Sequence, residues 1–323
     1  MSFASDMKKE LSLIIPEKKC CLLAEIAGFL RMNGSIGLLG GGKISVSVSS
    51  EDPAVTRMMK KLIKIYFDAD TSLEIISGSG IRKMKHYRLT FDDMLMGEQV
   101  LRETGMLTVQ EGSNVLTDGI SSEIVRKKCC KRSYLRGLFL ASGSVNHPER
   151  GYHLEIVGRG SIMSSDIRKL MNSFGLHAKI SERRDHFIVY IKESEKIVDF
   201  MNIVGAHNQL FEYENVRIIK DMRNRTNRIV NCESANLDKS VNAAARQLKN
   251  INYLEEKIGI NTLPEKLRIA AVSRIENPEL PLRELAALIK PPVSKSGLNH
   301  RFTRLDDMAE SLRQQEAAKK ASR

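Results

Sequence analysis

The chain contains two copies of one segment. Lys18–Ile36 aligns with Lys127–Val145 without a gap, at an offset of 127 − 18 = 109 residues, and both copies begin Lys-Lys-Cys-Cys. Each copy continues to a glycine (Gly28, Gly137) and ends in Asn-Gly-Ser-Ile or Ser-Gly-Ser-Val. An offset of this length matches a domain and not a solenoid repeat. The sequence therefore predicts the duplication of a domain-sized unit.

Hydrophobic patterns follow the duplicated segment in the same order in both copies. Period-two alternation predicts strands, and apolar residues three or four apart predict helices. In the first copy these are Lys43–Ser49, Pro53–Phe67, Leu73–Ser77, His86–Phe91 and Asp93–Glu103. In the second they are Tyr152–Val157, Ile162–Phe174, His177–Glu182, Phe187–Lys192 and Ser194–Val204. We expect an α+β fold of two α-β-β-α-β-β-α units, each with an antiparallel sheet that buries one face under its own helices.

The composition indicates a soluble, cytoplasmic protein of several domains. A length of 323 residues with 42% hydrophobic content allows two or three domains with ordinary cores. No apolar run approaches the roughly 18 residues that a membrane span needs. Met1–Glu10 is charged where a signal peptide would be apolar. We therefore expect no membrane partner.

The five cysteines argue against a disulfide framework. Four of them are adjacent in sequence, as Cys20-Cys21 and Cys129-Cys130, and adjacent cysteines rarely form a disulfide with each other. The fifth cysteine has no counterpart. There is no Cys-x-x-Cys spacing and the histidines are scattered. We expect small buried cysteines at helix starts and neither a metal nor a cofactor.

The basic charge points to a polyanionic partner. The net charge is +12 with a pI near 9.4. Arg126–Arg136 contains no acid, and Arg217–Arg228 contains Asp221 alone. Asparagines interleave the second cluster and are suited to a nucleic-acid backbone. Either cluster could instead be a solvated helix face. The phosphate contacts predicted from these clusters are Lys127, Lys128, Arg223, Arg225 and Arg228.

The C-terminal stretch has the layout of a helix-turn-helix. Pro264–Glu276 and Leu282–Ile289 are apolar at helical spacing. Lys290-Pro291-Pro292-Val293 must break the second helix, because neither proline can extend it. Ser294 can then cap a third, basic helix that reaches Leu312. This order of a helix, a tight break and a longer basic helix is typical of a DNA-binding motif.

The start of the third helix carries side chains of the types that read DNA. Arginine and lysine donate to guanine, asparagine can bridge adenine, and serine or histidine reaches phosphates or base edges. The alternative is a small helical cap with a polar face. Ala286 to Val293 is about two residues longer than the usual spacing of the motif, so we expect a widened turn. The predicted DNA-contacting residues are Ser294, Lys295, Ser296, Asn299, His300, Arg301 and Arg304.

A glycine-rich run in the first copy does not predict a nucleotide site. Gly37-x-x-x-x-Gly42-Lys43 has P-loop spacing, but Ile44 follows the lysine and offers no hydroxyl to Mg²⁺. The run also leads from a helix into a strand, the reverse of a P-loop. We expect Gly40-Gly41-Gly42 to form a turn, and no small-molecule substrate.

The duplicated segments Gly28–Gly34 and Gly137–Gly143 resemble the LAGLIDADG motif of homing endonucleases. The resemblance implies two helices packed along a pseudo-twofold axis through glycines, with a saddle of sheets over DNA. In that family the acidic residue before the last glycine holds the catalytic metal ions. Here that position is Asn33 or Ser142. Neither is an anionic ligand for Mg²⁺, so we expect the fold without the nuclease chemistry.

The whole chain resembles the WhiA family of Gram-positive bacteria. The resemblance rests on the two repeats, the Arg/Asn stretch Arg223–Asn236 and the terminal helices, and it covers nearly the full length. It implies a DNA-binding transcription factor that controls sporulation in filamentous actinobacteria and is tied to cell division and chromosome segregation in firmicutes. It also implies a terminal domain similar to region 4 of sigma factors and contact with the RNA polymerase holoenzyme. The composition favours the cell-division role.

Our prediction from the sequence is a non-enzymatic, nucleoid-associated regulator that binds double-stranded DNA and a sigma factor. Its segments are a first repeat (1–105), a second repeat (106–210), a basic helical linker (211–260) and a helix-turn-helix domain (261–323). One alternative is a metal-dependent nuclease that uses other carboxylates, with Glu25, Asp68 and Asp166 as candidates. Another is a scaffold whose sheets bind protein while only the terminal domain contacts DNA.

Overall fold

A computed structural model of the chain describes residues 2–38, 44–77, 85–91, 96–183 and 186–321. It divides into two units, Met1–Lys220 and Asp221–Arg323. The predicted turn at Gly40–Gly42, Lys43 and the predicted helix start at Asp93 lie outside the described residues.

The first repeat begins after a short helix and forms a four-stranded antiparallel sheet in the order β1-β2-β4-β3. Two long helices cover one face of this sheet. Buried Val46, Val48 and Leu89 point toward them. The elements are α1 (Phe3–Leu11), α2 (Lys19–Asn33), β1 (Gly34–Leu38), β2 (Ile44–Ser50), α3 (Pro53–Phe67), β3 (Thr71–Ser77), β4 (Lys85–Phe91) and α4 (Met96–Glu103).

A hairpin precedes the second motif helix, and the elements from that helix onward repeat the connectivity of the first copy. The sheet of the second copy has the order β7-β8-β10-β9, which matches the first sheet strand for strand. The elements are β5 (Leu107–Gln110), β6 (Ser113–Leu116), α5 (Lys128–Ser142), β7 (Gly143–Val145), β8 (Leu154–Gly158), α6 (Gly160–Asn172), β9 (Lys179–Arg183), β10 (His186–Ile191) and α7 (Ser194–Val204). The predicted duplication and the α+β class are therefore confirmed.

Local capping explains why some predicted helix bounds match the structure. For Pro53–Phe67, the Asp52 side chain accepts the N–H of Ala54 at 2.7 Å, and Pro53 occupies the first helical position. Asp68 ends the helix in the left-handed region at φ 52°. Ser194–Val204 also has its predicted bounds, with Gly205 at φ 96° as the stop. Most other predicted ends match the structure or differ from it by up to three residues. The exception is the third C-terminal helix, which was predicted to reach Leu312 and extends to Ala321.

Two elements were missed by the sequence interpretation. α1 buries Phe3, Met7 and Leu11, which are four residues apart and could have indicated a helix. The β5–β6 hairpin turns at Glu111 and Gly112, both with positive φ (49° and 79°), as a type I′ turn requires.

The two motif helices α2 and α5 pack against each other at their glycines. A Cβ on Gly28 would lie 2.5 Å from the carbonyl oxygen of Tyr134, and a Cβ on Gly137 would overlap the carbonyl oxygen of Glu25. Tyr134 is the counterpart of Glu25 at the 109-residue offset, so the two contacts are related by a pseudo-twofold axis. The predicted glycine contact is confirmed.

A buried ion pair joins the same two helices. The Arg136 Nη2 lies 2.6 Å from Glu25 Oε2, and Arg136 Nε donates to Glu25 Oε1 at 2.9 Å. Arg136 Nη1 also donates to the carbonyl of Val204 at 3.0 Å. Burial raises the pKa of the Glu25 carboxyl, and the hydrogen bonds from Arg136 oppose that rise.

This pair corrects part of the interpretation of Arg126–Arg136 as phosphate contacts. Arg136 is buried. Arg132 donates to the carbonyls of Ile203 and Asn202 at 2.8 and 3.2 Å. These two arginines hold the first unit together, because each bonds to the segment at the end of α7.

The second unit is all-helical. α8 (His207–Ile258) begins in the first unit and ends here, followed by a 3₁₀ turn at Ile260–Thr262, α9 (Glu265–Glu276), α10 (Leu282–Leu288) and α11 (Lys295–Ala321). The predicted stretch 211–260 is helical as far as Ile258, and Gly259 at φ 77° follows the helix end. The last part of this helix packs in this unit's core through Ile251 and Leu254, together with Leu285, Leu298 and Phe302.

A buried arginine connects the helices of this unit. The Arg274 side chain donates to Gln247 Oε1 on α8 at 3.1 Å and to the carbonyl of Leu280 at 2.7 Å. It also lies 5.4 Å from the ring centre of Phe302 on α11. Arg274 is 2% exposed, and desolvation lowers its pKa. These bonds fix the turn after α9 and hence the start of α10.

We expect Gly28→Leu and Gly137→Leu each to destabilise the first unit by about 1–3 kcal/mol, because a larger side chain forces the helix backbones apart. Gly37→Leu is the control, since the only described atom that a Cβ there meets belongs to Ser45, at 3.6 Å. Denaturant unfolding followed by tyrosine fluorescence measures this, because only Tyr253 of the seven tyrosines lies outside the first unit. If both helix variants unfold like Gly37→Leu, the packing assignment is wrong.

We expect Glu25→Gln to destabilise the first unit by about 3–5 kcal/mol, because it leaves the Arg136 charge buried without a counter-charge. Glu25→Gln combined with Arg136→Met should recover much of the loss. Glu98→Gln is the matched control, because the Arg102–Glu98 pair is exposed and should contribute less than about 1 kcal/mol. Additive effects in the double variant would contradict a coupled pair.

Candidate nucleic-acid interface

The start of α11 presents a polar face to solvent. Ser294 caps the helix, because its Oγ accepts the N–H of Gly297 at 3.1 Å. On the opposite side Leu298, Phe302 and Leu305 are buried in the core of the unit. The exposed residues on this first part of the helix include Ser294, Lys295, Ser296, Asn299, His300 and Arg304. The arrangement leaves these donors and acceptors free to meet a groove.

Arg301 differs from the other predicted readers. It is half-buried, and its Nη1 reaches the carbonyl of Lys266 on α9 at a long 3.5 Å. The turn before α11 is closed by a hydrogen bond from the Val293 N–H to the Ala286 carbonyl at 3.4 Å. Arg301 therefore lies toward α9, at the edge of the exposed face.

The three predicted arginines of α8 are exposed, but they do not share one face. Arg225 and Arg228 are three residues apart and lie on one side of the helix, whereas Arg223 lies two residues from Arg225 on another side. The earlier basic residues are engaged within the first unit. Arg217 pairs with Glu214 at 2.9 Å, and Lys220 donates to the carbonyl of Pro148 at 3.0 Å.

Lys127 and Lys128 are exposed at the N-terminal end of α5. Fourteen residues separate Lys128 from Ser142, which places the two about 20 Å apart along the helix. The structure therefore separates these lysines from the motif end, where the LAGLIDADG resemblance puts DNA.

The motif ends carry neutral hydrogen-bonding groups. Asn33 Nδ2 donates to the carbonyls of Ser49 and Ala141 at 3.2 and 3.1 Å. Ser142 Oγ is buried and has no hydrogen-bond partner among the described residues. Asn33 also lines a cavity of about 1060 Å³, together with Glu51 and Asp52. The Asp52 side chain already caps α3, and Glu51 lies 3.9 Å from His86.

These residues do not fit a catalytic magnesium site. Mg²⁺ prefers carboxylate and phosphate oxygens, and neither Asn33 nor Ser142 supplies one. Of the alternative carboxylates, Glu25 is buried against Arg136 and Asp68 pairs with Lys64 at 3.1 Å. Asp166 accepts the N–H of Ile120 at 3.2 Å and pairs with Lys169. These three carboxylates therefore have different partners and do not form one site.

The first sheet has a hydroxyl-rich face opposite its helices. Strand register aligns Ser35, Ser47, Thr90 and Ser72 in a row across all four strands. In the next row Arg88 faces Glu74 at 3.5 Å. Hydroxyls can bond to phosphates or to protein backbone, but the Arg88–Glu74 pair adds little attraction for a polyanion.

The structure brings together four residues that sequence reasoning treated separately. The cysteine cluster consists of Cys20, Cys21, Cys129 and Cys130, whose Sγ atoms all lie within 4.8 Å of one another. Cys21 and Cys130 are buried, as predicted, but Cys20 and Cys129 are half-buried. For Cys232 the prediction of a buried cysteine at a helix start is wrong, because it is exposed in the middle of α8. Burial raises the pKa of Cys21 to about 11 and that of Cys130 to about 12. Spacing within one copy gave no sign of this cluster, but the duplication of Cys-Cys around a pseudo-twofold axis could have.

None of the helices in the described part of the chain combines the length and apolar character that crossing a bilayer requires.

Three family models match successive parts of the chain. The WhiA N-terminal LAGLIDADG-like domain matches residues 19–107, the WhiA LAGLIDADG-like domain residues 131–223, and the WhiA C-terminal HTH domain residues 226–309. The first two matches coincide with the repeats that form the two sheets. The third includes α9 and α10 and the exposed start of α11.

Similar proteins match over almost the whole length. A probable cell division protein WhiA of Alkaliphilus metalliredigens is 43% identical and covers 97% of this chain and 99% of that protein. Its counterpart from Geobacillus thermodenitrificans is 45% identical, with 97% of each chain covered. The crystal structure of full-length DUF199/WhiA from Thermotoga maritima is 27% identical, with a TM-score of 0.56 over 96% of this chain and 99% of that chain. The chain belongs to the WhiA family.

Proposed function

We propose that this chain is a non-enzymatic, DNA-binding transcriptional regulator whose α11 reads bases in the major groove. The observation that carries this proposal is the exposed polar start of α11, whose other side is fixed in the core of a helix-turn-helix unit. A reading helix needs both properties, because its donors must reach base edges while its tilt is held by the helices behind it.

We assign the predicted DNA contacts of α11 and α8 either to reading bases or to binding phosphates. Lys295, Asn299, His300 and Arg304 are proposed as base readers, with Ser294 and Ser296 at the phosphates beside the helix start. Arg301 is proposed at the edge of this surface because it is half-buried. The exposed arginines of α8, Arg223, Arg225 and Arg228, are proposed as phosphate contacts that carry no sequence information.

The proposed cellular role is in cell division and, more specifically, in chromosome segregation. It is supported by the name "Probable cell division protein WhiA" of relatives 43% and 45% identical. Contact with the RNA polymerase holoenzyme is also proposed, because membership of the WhiA family implies a terminal domain similar to region 4 of sigma factors. Such contact would place the protein at the nucleoid. The division into segments 1–105, 106–210, 211–260 and 261–323 is retained as a proposal.

The proposed absence of nuclease activity is supported by the motif ends. Asn33 and Ser142 replace the carboxylates that would concentrate a divalent ion, and the nearest alternatives are engaged in ion pairs or caps. The fold therefore keeps the helix pair of an endonuclease without its metal ligands.

We expect no cleavage of supercoiled or linear DNA in the presence of Mg²⁺ or Mn²⁺, because Asn33 and Ser142 stand at the two positions where a carboxylate would hold the metal. Gel analysis of plasmid and linear duplex after incubation with the purified chain measures this. Asp52→Asn is the informative control, since Asp52 lines the cavity beside Asn33. Cleavage that copurifies with the chain and disappears in Asp52→Asn would establish an enzyme instead.

We expect Asn299→Ala to weaken binding to a selected cognate duplex by about 1–3 kcal/mol while binding to a scrambled duplex changes little. The reason is that a base contact discriminates between sequences. The cognate site is first obtained by selection of random duplexes with the full chain, and affinities are then measured by fluorescence anisotropy. Equal losses on both duplexes would show that α11 positions the protein and does not read sequence.

We expect Arg225→Ala and Arg228→Ala to weaken binding to both duplexes alike and to lower the salt slope by about one counterion each, because each removes a phosphate contact. Arg168→Ala is the matched control, an exposed arginine on α6 of the first unit. Titrations at two salt concentrations measure the slope. A sequence-dependent loss, or an unchanged slope, would contradict the positioning role.

A further inference from the structure

The cysteine cluster lies where the two motif helices begin. Cys20 and Cys21 belong to the first turn of α2, and Cys129 and Cys130 to the first turn of α5. At the offset of 109 residues Cys20 corresponds to Cys129 and Cys21 to Cys130. The pseudo-twofold axis that relates Gly28 to Gly137 therefore maps the cluster onto itself.

The spacing of the sulfur atoms fits one tetrahedral ion. Zn²⁺ binds thiolates at about 2.3 Å, which places the sulfurs of a tetrahedral site about 3.8 Å apart. Here all four Sγ atoms lie within 4.8 Å of one another, and those of Cys129 and Cys130 are 4.0 Å apart. Shifts of less than about 1 Å would close the site. An iron–sulfur cluster would need its cysteines farther apart, because irons and sulfides would lie between them.

The surroundings compensate the charge of four thiolates around Zn²⁺, which is formally −2. The helix N-terminal residues Lys18 and Lys127 make no side-chain capping bond, and neither α2 nor α5 has an acid in its first turn. The partial positive charge of two helix N-termini therefore lies close to the sulfurs and is not offset by an acid in the first turn of either helix. The flanking lysines, all of them exposed, add further positive charge: Lys18, Lys19, Lys127 and Lys128.

We propose that the cysteine cluster is a zinc site, in which one Zn²⁺ on the pseudo-twofold axis is held by two thiolates from each repeat. Such a site is closed, with four protein ligands and no open position, so its role is structural. It joins the two repeats at the start of their helix pair, and Gly28 and Gly137 join them in the middle. The flanking lysines then serve the metal site, which gives Lys127 and Lys128 a function away from DNA.

The test measures zinc in the full chain. Reduced protein is freed of metal with a chelator, given one equivalent of Zn²⁺, desalted, and analysed by elemental mass spectrometry. Wild type should retain one Zn²⁺ per chain, and zinc should raise its thermal unfolding midpoint. Cys20→Ser/Cys129→Ser should retain almost none, whereas Cys232→Ser, which alters the exposed fifth cysteine, should retain one equivalent.

Cobalt substitution gives a second measurement that does not depend on the folding of a variant. Wild type loaded with Co²⁺ should show sulfur-to-cobalt charge transfer and the visible bands of a tetrahedral ion, and stoichiometric Zn²⁺ should remove both. An octahedral cobalt spectrum would overturn the proposal. So would zinc retention by Cys20→Ser/Cys129→Ser equal to that of Cys232→Ser.

Disulfide bonds between the four cysteines are the alternative to a bound metal. Two bonds across the axis would lower the intact mass by four hydrogens. Such a mass in protein purified under air, together with no zinc uptake after full reduction, would overturn the metal site. An intact mass equal to that of the fully reduced chain, together with bound zinc, supports the metal site.

The lysines provide a matched test of the charge argument. Lys18→Gln/Lys127→Gln should weaken zinc affinity by about tenfold or more, because less positive charge then surrounds the thiolates. Lys61→Gln/Lys169→Gln, which alters one exposed lysine in each repeat away from the cluster, should leave affinity unchanged. Equal affinities for the two double variants would overturn the role given to the flanking lysines.

Discussion

Close approach of the α2 and α5 backbones is the contact on which the rest of the first unit depends. It is possible because Gly28 and Gly137 have no Cβ where each meets a carbonyl oxygen of the other helix. This contact defines the pseudo-twofold axis. The axis brings Asn33 close to Ala141 at one end of the helix pair and brings the cysteines together at the other.

The two halves keep this geometry while differing in chemistry along the axis. At the start of the helices the cysteines repeat symmetrically. In the middle the symmetry is broken, because Glu25 pairs with Arg136 while their counterparts are Tyr134 and Ala27. At the motif ends one copy has an amide and the other a hydroxyl. A buried ion pair contributes little net stability, but leaving either partner alone is costly, so it strongly favours the one pairing of the two halves.

Charge is distributed differently in the two units. In the first, Arg132, Arg136 and Lys220 are engaged with carbonyls or a carboxylate, so their contribution to the net charge of +12 does not amount to a free basic surface. In the stretch of α8 after Lys220 and at the start of α11, basic side chains are exposed. Counting charges along the sequence cannot separate these cases, because burial is decided by segments far away in the chain.

The sequence by itself determined the duplication, the order of helices and strands from each motif helix onward within a repeat, the capped bounds of Pro53–Phe67, and the helix-turn-helix. These follow from periodicity, caps and breaking prolines, which act over a few residues. Only the tertiary structure decided that Arg136 is buried, that Arg301 lies toward α9, and that two cysteine pairs 109 residues apart meet. A periodic pattern shows which face of an element is buried, but not the partner across that face. The partner depends on packing over the whole unit, which here is fixed by two glycines.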